Sequence, residues 1–137
     1  MDLQTFISNN EVEHSEYLIE PEVLDIALEH MDIQAGKETK EYILKYGYLA
    51  YKYSELYGIN ARQFLDSDMV QQTIYLHAHY PETRGYIALE NQGEGDYFLI
   101  DKEDYVYEFD SELRCLTPTG NKLFEYILQH FESMKDE

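Results

Sequence analysis

The sequence predicts an α+β domain: an antiparallel sheet with a central meander, packed by N-terminal, middle and C-terminal helices. Three observations carry this. Between Thr83 and Asp110 lie three runs of β-forming residues, Gly85–Glu90, Asp96–Asp101 and Tyr105–Asp110. The gaps between them, Asn91–Gly95 and Lys102–Asp104, are too short for parallel crossovers, so the runs pair antiparallel. On both sides stand segments whose apolar residues recur every three or four positions, the pattern of helices that cover a sheet.

Side chains alternate across a strand, so Tyr97 and Leu99 share one face and Phe98 and Ile100 the other. In the third run Tyr105, Tyr107 and Phe109 line one face, opposite Val106, Glu108 and Asp110. A meander with one apolar face needs a cover, and the flanking helices supply it.

Residues 1–20 read as a helical lead-in. Leu3, Phe6 and Ile7 have helical spacing, Asn9-Asn10 ends the turn, and Glu11, Glu13, Glu16 and Glu20 form a solvated acidic stretch. Pro21 suits the first turn of a helix running to Met31, with Val23, Ile26, Ala27 and His30 as its apolar stripe. Gly36 breaks the chain before a second helix, Lys37–Tyr46, which turns Tyr42, Ile43 and Tyr46 inward and stops at Gly47. Tyr48–Ile59 alternates irregularly and gives one or two short strands, turned at Gly58-Ile59-Asn60. Asp66 or Ser67 caps a helix from Asp68 to His79, with Val70, Ile74 and His77 on one face, and Pro81 ends it. After the meander, Leu113–Leu116 forms a short extended piece leading to Thr117-Pro118-Thr119-Gly120. The last helix, Asn121–Ser133, carries Leu123, Phe124, Ile127, Leu128 and Phe131 inward, with Phe124 and Ile127 against the sheet. Residues 134–137 are expected to fray. The whole chain, 1–137, reads as one domain.

Composition excludes several classes. The 137 residues contain 14 Tyr and 6 Phe, a ring content that needs a core and argues against disorder. The single cysteine, Cys115, has no internal partner, which fits a reducing compartment. With no basic start and no apolar run near ~20 residues, the expected location is cytoplasmic, without a membrane anchor. Net charge is −18, from 28 acidic and 10 basic residues. Such a field repels nucleic acid and anionic membrane and draws in basic partners.

No residue pattern points to catalysis, a cofactor or a metal. His77 and His79 are two apart on a helix and face different ways, and His14, His30 and His130 stand alone in sequence. No GxSxG elbow occurs, and Gly93-Glu94-Gly95-Asp96 would repel phosphate. What stands out is acid placement. Glu90, Glu94, Asp96, Asp101, Glu103, Asp104, Glu108, Asp110 and Glu112 face only Lys102 over this stretch. Glu90, Glu94, Asp96, Asp101, Asp104, Glu108 and Asp110 are therefore the candidate partner-binding residues, with Tyr97 and Tyr105 as interleaved aromatic area. The competing reading is a solvated sheet edge that charge protects from aggregation.

Leu24–Ile59, with Tyr42, Ile43, Tyr46-Gly47 and Tyr57-Gly58-Ile59, resembles the opening of the SUKH superfamily. GDYFLIDKEDYVYEFD (Gly95–Asp110) is similar to that family's central strands, and the apolar C-terminal helix falls where the family has one. Ala35-Gly36 stands where relatives usually have Leu-Pro, and Phe109 where they often have Trp. The resemblance implies an α+β fold and, in bacteria, an immunity protein: a cytoplasmic antidote that binds a cognate toxin, often a nuclease, without catalysis. An acidic inhibitor suits the basic surface a nuclease needs for phosphates. A monomer or weak homodimer is expected. The other function class is a non-catalytic acidic regulatory or scaffolding domain, as in some relatives; a toxin gene beside this one separates the two.

Overall fold

The computed structural model describes residues 1–60 and 64–136. Among these described residues five helices pack with two antiparallel sheets, so the predicted α+β class holds. The first sheet has the order β1 (Glu13–His14), β2 (Leu49–Tyr51), β3 (Ser54–Leu56). The second is a four-stranded meander, β4 (Ile87–Gly93), β5 (Asp96–Ile100), β6 (Tyr105–Asp110) and β7 (Cys115–Lys122). Where they meet, the Tyr57 N–H donates to the Leu89 carbonyl at 2.6 Å, beside a β-bulge between Ala88 and Glu90.

Helix α1 (Leu3–Asn9) starts where the Asp2 side chain accepts the Thr5 N–H, and it buries Leu3, Phe6 and Ile7. Helices α2 (Pro21–Met31) and α3 (Lys37–Tyr46) have the predicted bounds. Gly47 closes α3 at φ 74°, a conformation that favours glycine. Helix α4 (Asp68–His79) also has the predicted bounds; Ser67 stands at its N-cap position without a side-chain capping bond. Helix α5 (Leu123–Met134) begins two residues later than the spacing suggested.

Several expectations are corrected. The α2 stripe has a different phase: Leu24, Ala27, Leu28 and Met31 are buried, whereas Ile26 is 51% exposed. In α4 the buried set is Met69, Val70, Thr73 and Leu76, with Ile74 and His77 half-buried. Part of the lead-in pairs: Glu13 lies opposite Ala50 and His14 opposite Leu49. Asn91, Gln92 and Gly93 belong to β4, leaving Glu94-Gly95 as its turn. The short extended piece expected at Leu113–Leu116 is instead β7, Cys115–Lys122, which runs on through Pro118 and Gly120 paired with β6. It is an edge strand, where a missing N–H is tolerated. In α5, Ile127 and Phe131 are fully buried but Phe124 only partly. Met134, the first residue of the tail expected to fray, is the last of α5; it is buried, and its carbonyl accepts from the Lys52 ammonium at 2.5 Å. Glu137, the last residue of the expected frayed tail, lies outside the described residues.

Both faces of the meander are covered, not one. Ile87, Ile100 and Val106 join the main core with Leu123 and Ile127 of α5. Ala88, Leu99 and Phe109 form a second cluster with Leu76 of α4. Burying two faces fixes the register, because a one-residue slip would exchange every side chain between them.

Candidate partner-binding surface

The meander strands carry the candidate acids, but the fold uses them differently. Asp104, in the β5–β6 turn, is buried and turned inward. Its Oδ1 accepts the Thr39 N–H at 2.9 Å and the Thr39 hydroxyl at 2.7 Å, and its Oδ2 accepts the Glu38 N–H at 3.1 Å. These donors belong to the first turn of α3, whose own N-cap, Gly36, has no side chain to offer. A Cβ at Gly36 would collide with that carboxylate, which explains glycine there.

Glu90 is also inward, only 4% exposed. Its carboxylate accepts from the Ser54 hydroxyl at 2.6 Å and the Gln92 amide at 2.6 Å, and lies 3.3 Å from His130 Nε2. His130, alone in sequence, is thus brought by α5 against β3 and β4. These residues border a cavity of about 240 Å³ together with Tyr53 and Asn91. Serine, histidine and glutamate meet here, but not as a catalytic relay. Ser54 Oγ lies 3.1 Å from the same Nε2 that faces Glu90, and the hydroxyl donates to the carboxylate. A relay needs the acid on the opposite ring nitrogen, where it orients the base. The cluster instead ties β3, β4 and α5 together with both carboxylate oxygens of Glu90 engaged.

The other five acids reach solvent, at separate places. Glu94 is exposed in the β4–β5 turn, and Asp96 lies directly opposite Asp110 at the same end of the sheet. Asp101 sits at the other end of β5, roughly 15 Å away for a strand of that length. Its Oδ1 accepts the N–H groups of Glu103 at 2.9 Å and Tyr105 at 3.0 Å. Glu108 is exposed in mid-strand, across from Phe98 and Thr117. Of the aromatics, Tyr105 is 38% exposed and Tyr97 packs against the second cluster.

Beside the Asp96–Asp110 end stands a feature that sequence reading missed. Leu113 is 75% exposed in the β6–β7 turn. Next to it the Arg114 guanidinium donates to Glu82 at 2.5 and 2.7 Å and lies over the Tyr80 ring. That pairing holds the Glu82 carboxyl down at about 2. On the first sheet, Tyr48 donates to Glu13 at 2.6 Å, and this bond pushes the phenol up to about 12. On the α5 side, Tyr126 packs against Phe98 with ring centroids 5.0 Å apart. Its buried hydroxyl has no hydrogen-bond partner among the described residues; burial foremost, then the charges of Glu90 and Glu108, push it upward.

Among the described residues no group of three or more His, Cys, Asp or Glu side chains has metal-holding geometry, and no helix is long and apolar enough to cross a membrane. Comparison with known families matches residues 5–132 to the model SUKH_5, described as SMI1-KNR4 cell-wall. The chain belongs to the SUKH_5 family. The SUKH domain is known in immunity proteins, is generally non-catalytic, and points to a protein as the partner. No curated protein matches the chain.

Proposed function

We propose that this SUKH_5 protein is a cytoplasmic immunity protein that neutralises a cognate toxin, a basic nuclease domain, by stoichiometric occlusion and without catalysis. The observation that carries the reading is charge on this family's scaffold. In a chain of net −18, Glu94, Asp96, Asp101, Glu108 and Asp110 reach solvent around the meander. Glu90 and Asp104, committed to internal partners, act through the fold rather than by contact. A nuclease holds phosphates with Lys and Arg, and opposite fields speed its encounter with an acidic inhibitor.

The test is surface plasmon resonance against the purified product of the adjacent gene, with rescue of cells expressing it. Association slows steeply with salt if fields steer it, since the Debye length falls from ~10 Å at 0.1 M to ~3 Å at 1 M. Wild-type protein that neither binds nor rescues overturns the immunity reading and leaves a regulatory scaffold.

A further inference from the structure

Resting on that reading, we infer that Leu113 is the apolar anchor of the interface, presented by the joined tips of the β4–β5 and β6–β7 turns to a basic, concave surface on the partner. A lone exposed leucine is ordinary on a protein surface. This one is held out by its surroundings. The Asp110 carboxylate accepts the N–H groups of Glu112 at 2.9 Å and Leu113 at 3.0 Å, fixing the turn from one side. From the other side Arg114, at φ 55°, is clamped to Glu82 and laid over Tyr80. The two tips are joined because the Ser111 N–H donates to the Gly95 carbonyl at 3.0 Å. Gly95 has φ +87°, and a Cβ there would strike the Ser111 hydroxyl.

A turn whose backbone is fixed in water has already lost part of the freedom that binding would cost it, which is how presented anchor residues gain affinity. The two tips carry Glu94, Asp96, Asp110 and Glu112, while the base they carry, Arg114, is taken by Glu82. The complementary surface is therefore a cleft with Lys or Arg on its rim and an apolar floor. A phosphate-binding cleft on a nuclease has that rim, and a protruding tip would fill it. At the opposite end of the meander the exposed aromatic, Tyr105, lies under the Lys122 ammonium, and Asp104 is spent on α3.

The experiment measures binding of the adjacent gene's product to wild type, Leu113→Asp, Leu113→Ala, Glu94→Lys with Glu112→Lys, and Glu103→Lys. Because Leu113 is exposed, its variants are expected to keep the wild-type melting midpoint, which is checked first. Leu113→Asp is expected to weaken binding about 30-fold, chiefly through faster dissociation, and Leu113→Ala about tenfold. The paired tip reversals slow association and flatten its salt dependence, whereas Glu103→Lys changes little. Folded Leu113 variants that bind like wild type overturn the anchor while leaving the immunity reading standing. Wild type that does not bind the adjacent gene's product overturns both.

Discussion

The Asp104 carboxylate and the Thr39 backbone N–H lie 2.9 Å apart although 65 residues separate them in the chain. A β-turn supplies the cap that a distant helix lacks, so one of the acids expected to meet a partner is a structural element. Asp104→Ala leaves buried donors of α3 unpaired and is expected to cost about 2–3 kcal/mol, read as a lower urea midpoint at unchanged slope. Gly36→Ala is expected to destabilise as well, because its methyl and the carboxylate compete for one space. A midpoint equal to wild type in Asp104→Ala would show the cap to be dispensable.

The Ser54–Glu90–His130 cluster predicts non-additivity. Removing one partner strands buried polar groups, so Ser54→Ala and His130→Ala should each destabilise measurably, and the double variant should cost less than their sum. A double-mutant cycle in urea checks this. Coupling energy near zero would mean the three side chains are merely adjacent.

Tyr126→Phe should leave stability unchanged or raise it by up to about 1 kcal/mol, since it deletes a buried hydroxyl without a hydrogen-bond partner among the described residues. Phe131→Ala, at a fully buried ring, should cost about 3–5 kcal/mol, and Phe124→Ala, at a partly buried one, clearly less. Thermal unfolding of the three variants side by side gives the order.

Acid should dissolve the Glu82–Arg114 pair late. The folded carboxyl is depressed from 4.5 to about 2, so the pair's contribution is present above 4.5 and is lost as pH falls toward 2. Carbon-detected NMR titration should find Glu82 among the last carboxyls to protonate. A midpoint near 4.5 would show the guanidinium to be unpaired in solution.

Legibility followed the range of the deciding interaction. Helix α3 and strand β6 were readable because Gly47 and the Lys102–Asp104 turn are local signals. The phase of α2 was not: Val23, Ile26 and Ala27 satisfy helical spacing as well as Leu24, Leu28 and Met31 do, and only the packed core selects between them. Strand β1 is two residues long and exists through its partners Leu49 and Ala50. Strand β7 was hidden by Pro118, which forbids a central strand but not an edge one. Sequence located the acids, but the inward turn of Glu90 and Asp104 depends on Ser54 and Thr39, far away in the chain. Leu113 looked like the start of an extended piece, because exposure is a property of the folded surface.

The single cysteine adds a practical consequence. Cys115 is exposed, on the first residue of β7, two positions beyond Leu113. A maleimide dye will therefore label the natural sequence at one point, with no engineered cysteine and no scrambling of products. Docking at the joined tips would change that dye's emission, so the wild-type protein can be titrated as its own fluorescent sensor.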